Sequence, residues 1–270
     1  RDTRDAADWQ IEKAHPSRSR LAAVLNHWYE DNPLVRRAVR RADAVFCAAR
    51  VVGAKARAVY GLPAEPPLLP TPVRIPEPPR KADTPTVCYL GRADRRKRPE
   101  VFLELAARFP AVRFVLVGDA QQARQRELLR QRSAQLPNLE WKGFVNQFES
   151  DGVARVLGAS WILVNTSLRE GLPNAFLEAC AHGCAILSQL DPDGFASRFG
   201  YWAARGDYAD GLRRLLQEEQ WRERGRAGAA YVAATYGLER AVAQHLAVYE
   251  RLTLTPAARP PRPATAAPGS

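Results

Sequence analysis

Methionine is absent from all 270 residues, position 1 included. We therefore expect Arg1 to be a cut, with part of the function residing upstream of it. Cysteine is scarce: four residues are too few for a disulfide scaffold in a chain this long. No uninterrupted apolar run reaches the roughly 18 residues that a membrane-spanning helix needs. The opening stretch, RDTRDAADW, has no apolar core of the kind a secretory signal requires. The expected location is cytoplasmic, at most against the inner face of a membrane. Internal repeats are also missing. What is present is 46% hydrophobic residues and 26% charged ones. That composition excludes a collagen-like or wholly disordered chain and suffices for one full core plus a remnant of a second.

Acidic residues fall short of basic ones, 29 against 40, leaving a formal net charge of +11. Such a surplus favours anionic partners. Much of it is arginine spread over a chain rich in alanine, arginine and proline, so the local clusters say more than the total. The densest is Arg92, Arg95, Arg96, Lys97 and Arg98, against a lone Asp94.

Two proline-rich stretches divide the chain. Residues 62–85 hold nine prolines and no aromatic residue, which excludes a helix or a central strand and predicts a stiff, extended linker. Residues 253–270 hold five more and little that can enter a core, which predicts a disordered tail. Residues 1–61 are expected to be the remnant of one domain and 86–252 a second, complete one. Before the linker, Leu34–Ala42 reads as a helix, 44–48 (AVFCA) as a short buried strand, and Val51–Tyr60 as a helix stopped by Gly61.

After the linker, short apolar runs alternate with helical patterns. Strands are expected at Thr86–Leu90, Arg113–Val117, Leu139–Trp141, Trp161–Asn165 and Cys184–Ser188. Helices are expected at Pro99–Phe109, Gln121–Gln135, Gly152–Gly158 and Asn174–His182, then at Tyr208–Leu216, Trp221–Thr235 and Leu238–Leu252. Strands of four or five apolar residues between helices predict a parallel sheet buried on both faces. Right-handed crossovers then favour a doubly wound, Rossmann-like α/β domain.

In the strand order 3-2-1-4-5-6 the first and fourth strands are neighbours, and ligands bind between their carboxyl ends. Two distinctive turns follow those strands: 91–97 (GRADRRK) and 167–174 (SLREGLPN). Pro173 suits the first turn of a helix, where its missing N–H costs nothing. The free N–H groups of Asn174 and its neighbours, with the helix dipole, then form an anion site suited to a phosphate. Arg92 and Lys97 approach from the other turn with a guanidinium fork and a point charge. Glu178 lies one turn beyond Asn174 and leans towards the helix start, where it can accept from vicinal hydroxyls. Glu170, in the turn itself, can serve a second set. Two carboxylates around a phosphate site suit a phosphate flanked by two sugars.

With these residues assembled, the chain resembles the family 4 glycosyltransferases of the GT-B fold. The resemblance covers about 85–250 and the stretch before the linker. It rests on GRADRRK, LVGD (116–119), LEWKGFV (139–145) and REGLPNAFLEA (169–179), the last placing a Glu-x7-Glu pattern at Glu170 and Glu178. The resemblance implies a GT-B enzyme truncated at its N-terminus. It implies a UDP- or GDP-sugar donor and hexosyl transfer, with retention of configuration, to a glycan or lipid-linked acceptor. It implies that Arg92 and Lys97 hold the diphosphate, that Glu170 contacts the donor sugar and that Glu178 contacts the ribose. Gly171, Leu172 and Pro173 would line the sugar–phosphate pocket, and Phe144 and Val145 would border the base. Glu170, Arg92 and Lys97 are the expected catalytic residues. Neither a cofactor nor a metal site is expected. Two departures stand out. Arg98 occupies the place where the family usually has glycine, and Asp191–Gly200 replaces the family's glycine-rich loop after the fifth strand.

Plainer readings stand beside these. The acids can be ordinary helix-start carboxylates, and Arg95, Arg96 and Arg98 a solvated run. Cys180 and Cys184 read as small buried residues rather than a metal pair, since no zinc-type spacing follows. Trp202 and Trp221 read as packing residues. Asp119 suits a nucleotide contact or a turn equally. Arg36, Arg37, Arg40 and Arg41 can lie on an acidic membrane surface, though a solvated helix face is the simpler account. An inactive nucleotide-sugar-binding remnant is the second functional reading. A nucleic-acid-binding protein ranks last, because basic residues are not interleaved with aromatic ones.

Overall fold

The computed structural model describes residues 32–254 except 79 and 148, together with Gln10, Ile11, Ala14, Leu25, Trp28 and Tyr29. The expected tail lies outside the described residues from 255 onward, as do His15 and His27.

Before the linker, the continuously described residues form α1 (Pro33–Arg40) and α2 (Val51–Tyr60). Asn32 caps α1, its side-chain oxygen accepting from the N–H groups of Leu34 and Val35 at 2.9 and 3.0 Å. Gly61 ends α2 in the left-handed region at φ 61°. The strand expected at 44–48 is absent. Only an isolated bridge forms there, Cys47 to Leu68, because the partner it meets is the irregular linker and not a sheet. Arg40 stays exposed while its Nε donates to the Tyr60 carbonyl at 2.5 Å, tying α1 to the end of α2.

The linker segment 62–85 contains no helix or named strand and is fastened along its course. Val73 N–H donates to the Tyr236 carbonyl and Ala82 N–H to that of Ala159. The Lys81 ammonium reaches the carbonyls of Ser160 and His182 at 2.5 and 2.7 Å, at the C-terminal ends of two helices, where a cation offsets the dipole.

The rest is a six-stranded, all-parallel sheet in the order β3-β2-β1-β4-β5-β6. The strands are β1 (Thr86–Leu90), β2 (Arg113–Val117), β3 (Leu139–Gly143), β4 (Ile162–Asn165), β5 (Ala185–Ser188) and β6 (Gly200–Trp202). Between them run α3 (Pro99–Arg108), α4 (Ala123–Ser133), α5 (Gly152–Ala159), α6 (Asn174–Ala181) and α7 (Phe195–Phe199). The chain closes with α8 (Tyr208–Leu216), α9 (Gln220–Tyr236) and α10 (Leu238–Leu254). This is the doubly wound, Rossmann-like domain that the alternation predicts. The sixth strand and α7 were not expected. Both fall within and just after Asp191–Gly200, a stretch too short and too rich in turn residues to show periodicity.

Every residue of β4 and β5 is buried, as a sheet covered on both faces demands. One covering layer, built on α3 and α8, packs Phe102, Phe114, Leu116 and Leu212 around a Trp161–Trp221 stack at 4.5 Å. The other, built on α5, α6, α7 and α9, gathers Phe176, Phe195, Phe199 and Tyr236 with Cys180 and Cys184. Trp221 is a packing residue, as expected. Trp202 is not: it is half exposed, and its indole N–H donates to the Gln189 carbonyl.

Candidate functional site

The two turns that follow β1 and β4 meet. Leu168 N–H donates to the Arg96 carbonyl at 2.9 Å. Thr166 Oγ1 donates to the carbonyls of Lys97 and Arg98 at 2.5 and 2.9 Å. Across this seam the Lys97 ammonium pairs with the Glu170 carboxylate, both side chains being about four-fifths covered. Residues far apart in sequence thus form one charged pair at the mouth between β1 and β4. The parallel crossover puts both turns on the same edge of the sheet.

Arg98 is central to the seam, and the reading of its side chain as solvated is overturned. Its backbone sits in the left-handed region at φ 46°, a strained conformation for a residue with a Cβ. Pro99, which opens α3, disfavours the right-handed helical region for the residue before it. The side chain holds the position. Nε donates to the Thr166 carbonyl at 2.9 Å and a terminal nitrogen to Gln189 Oε1 at 2.6 Å. Gln189 in turn donates to the Ser167 carbonyl, while Tyr208 O–H donates to that of Asn165. Arg98 therefore ties together the ends of β1, β4 and β5 immediately beside Lys97. The sequence signal for it was the Arg-Pro pair at a helix start.

The floor of the site is tight. Gly118, at the end of β2, has φ 135°, and a Cβ built there stands 1.8 Å from the Gly91 carbonyl oxygen. No side chain fits, so glycine lets the ends of β1 and β2 close up. Trp141 Nε1 donates to the Gly118 carbonyl at 2.8 Å and holds that corner.

The remaining expected residues distribute themselves as follows. Arg92 does not join Lys97; it is exposed and turned to Asp94, 3.5 Å away. Phe144 is 76% exposed, while Val145 packs into the α5–α6 layer. Pro173 is buried and serves as the N-cap of α6 rather than within its first turn, and Asn174 is the first helical residue, as expected. Gly171 faces Val52 of α2, 3.7 Å from a built Cβ, so the pre-linker piece overhangs this turn. Leu172 packs against the α5–α6 core layer.

Glu178 is half-buried, and its carboxylate makes no hydrogen bond or ion pair among the described residues. Burial raises its pKa above the usual carboxylate range. His182 ends the same helix, its Nδ1 2.8 Å from the Glu178 carbonyl. Asp119 takes the turn role, accepting from Ala120 N–H and from Arg126 Nε. Among the described residues no cluster of three or more His, Cys, Asp or Glu is placed to hold a metal ion, and no helix is long and apolar enough to cross a membrane.

A residue that sequence reasoning missed is Asp193. Its two carboxylate oxygens accept from the N–H groups of Arg50 and Val51 at 2.9 and 2.7 Å, capping α2 from the loop after β5. It adopts φ 53°, which aspartate tolerates better than most residues. The Asp-Pro-Asp-Gly run was the available signal for a turn there.

The chain matches known proteins over this same region. In structure it is similar to sucrose-phosphate synthase from Thermosynechococcus elongatus, with a TM-score of 0.67 and 23% identity over 81% of this chain and 60% of the synthase. It is also similar to HepE from Anabaena in complex with UDP-glucose, with a TM-score of 0.64 and 15% identity over 82% and 67%. A third similar structure is S. aureus TarM in complex with fondaparinux, α-GlcNAc-glycerol and UDP. There the TM-score is 0.63, with 17% identity over 80% and 45%. The chain thus spans less than two thirds of the first of these. No curated protein matches it in sequence. The model of one family matches residues 84–218, half of the chain, and takes in both turns of the seam. By that match the chain belongs to the glycosyl transferases group 1, and its sheet is a Rossmann-like domain of the GT-B type.

Proposed function

We propose that the protein takes part in transferring a hexosyl group from a UDP- or GDP-sugar to a glycan or lipid-linked acceptor, with retention of configuration. The observation that carries this reading is the Lys97–Glu170 pair, set at the mouth between β1 and β4 beside the start of α6. In this reading the diphosphate lies against Lys97 and the free N–H groups opening α6. Arg92, solvent-exposed and paired with Asp94 at 3.5 Å, swings in to complete the charge. The donor sugar meets Glu170 and the backbone of Gly171–Pro173. Phe144 and Val145 border the base, and the uncommitted Glu178 accepts from the ribose hydroxyls.

Transfer breaks the bond between the anomeric carbon and the β-phosphate oxygen and forms one to an acceptor hydroxyl oxygen, whose proton passes to the departing diphosphate. Negative charge gathers on the departing diphosphate. Fixed cations and N–H dipoles aimed at that charge stabilise it in the transition state. No step needs a metal or a cofactor.

Titrating the chain with UDP and GDP by calorimetry tests the reading. Binding of one of them that Lys97→Ala weakens supports it, and unchanged affinity overturns the site. The second reading, a donor-binding remnant without turnover, is favoured by the 60% coverage of the synthase. Product formation from a matched donor and acceptor by this chain would dismiss it.

A further inference from the structure

The turn between β1 and α3 has a second side, which Lys97 does not use. There a cleft of about 520 Å³ opens between the turn and α4. Arg95 borders it from the turn, and Arg124 and Arg132 from the helix. The pairing of the α4 arginines is selective. Arg126 is joined to Asp119, and Arg130 makes two bonds to Glu127. The side chains of Arg124, Arg132 and Arg95 form no ion pair or hydrogen bond among the described residues. One carboxylate, Glu100, faces the three guanidiniums, so the cleft carries a clear positive excess.

The spacing narrows the ligand. Arg124 and Arg132 stand about 12 Å apart along the helix axis, at 1.5 Å per residue. A single phosphate does not span that distance, whereas an anion with separated charges does. Gln122 and Gln125 line the same cleft with amides that suit hydroxyl groups, and Leu128, more than half exposed, offers a small apolar surface to a ring face. No aromatic side chain lines it, so single-stranded nucleic acid finds no stacking platform. Two leucines line the cleft, and Leu129 is already buried, which leaves too little exposed apolar surface for membrane insertion.

We infer that this cleft is an accessory site for an acidic glycan, one bearing carboxylate, sulfate or phosphate groups on successive sugars. Guanidinium forks take the acid groups and the glutamines take hydroxyls. The inference stands apart from the nucleotide reading, because neither Lys97 nor Glu170 lines the cleft, although Arg95 shares the turn with Lys97.

The test titrates the full chain with a sulfated heparin-type hexasaccharide at fixed ionic strength, alongside its desulfated counterpart. Arg124→Glu with Arg132→Glu should lower affinity by at least about tenfold, since two charge-assisted contacts are reversed. Arg155→Glu with Arg251→Glu, the same change of net charge on the exposed faces of α5 and α10, should leave affinity within about threefold. The desulfated sugar should not bind. Equal losses in both double variants, no loss in the first, or tighter binding of a single-stranded oligonucleotide that competes for the cleft would each overturn the inference. Circular dichroism on both double variants separates a lost contact from a lost fold.

Discussion

Glu170 lies in the turn before α6 and is paired with Lys97. Glu178 sits within α6, half-buried, with no partner among the described residues and a carboxyl pushed above its usual range by burial. Sequence treats the two acids alike, as a spaced pair at a helix start, but tertiary structure gives them opposite conditions. The first is neutralised inside the protein and must exchange partners to act. The second already bears the cost of desolvation with nothing to offset it. A carboxylate left in that state is where an incoming hydroxyl donor gains most, because it satisfies a buried acceptor.

The largest expected effect comes from breaking the paired side. Lys97→Ala removes the cation and leaves Glu170 covered and unmatched. Affinity for UDP or GDP should fall by about 10- to 100-fold, as expected for a hydrogen bond to a charged group. If it does not, the paired acid is structural and the contrast with Glu178 loses its functional meaning.

Next comes Arg98→Gly. Glycine accepts φ 46° without strain but removes the tie to Thr166 and Gln189. We expect about a tenfold loss of nucleotide affinity. Because Arg98 acts through Lys97, the double variant with Lys97→Ala should bind no worse than Lys97→Ala alone. Additive losses would show that Arg98 contributes independently.

Glu178→Gln sharpens the unpaired side. It should weaken UDP or GDP binding by about threefold to tenfold while barely changing inorganic pyrophosphate binding, since only the nucleotides carry ribose hydroxyls. Its pH signature has a definite sign. A carboxyl whose pKa is raised in the folded state takes up its proton before an ordinary glutamate does as pH falls. Wild-type nucleotide affinity should therefore drop on acidification from a pH above the ordinary glutamate value of about 4.3, and the variant should lack that component. In the unliganded protein the raised pKa makes ionised Glu178 a burden on stability at neutral pH. That burden disappears as pH falls through the raised pKa. Glu178→Gln should thus raise Tm slightly at pH 7, with the gain vanishing in acid.

The smallest effect on the sheet domain should come from Asp193→Ala. It removes the cap on α2, worth about 1 kcal/mol. Amides of α2 should exchange faster, while those of β4 and β5 keep their protection. Loss of protection in the sheet as well would show that the pre-linker piece is integral to the domain.

The alternation of buried strands and helices was legible because a parallel sheet covered on both faces imposes it residue by residue. Thr86–Leu90, Arg113–Val117 and Tyr208–Leu216 fall where periodicity puts them. The short strand at Gly200–Trp202 was not legible. It exists only because Ile186–Ser188 lies beside it to accept pairing. The strand expected around Cys47 failed for the converse reason, since among the described residues it meets only the linker at Leu68 and no sheet edge.

The sequence by itself determined the class of fold, the edge of the sheet where a ligand belongs and the residue types brought there. Apolar periodicity and turn chemistry act over a few residues and are written locally. Only tertiary structure decided which charges are matched: Lys97 with Glu170, Arg92 with Asp94, Arg98 with the ends of two other strands, and Glu178 with none among the described residues. Electrostatic partnership depends on distance and burial between chain segments that the sequence keeps far apart, and those quantities exist only once the sheet has closed.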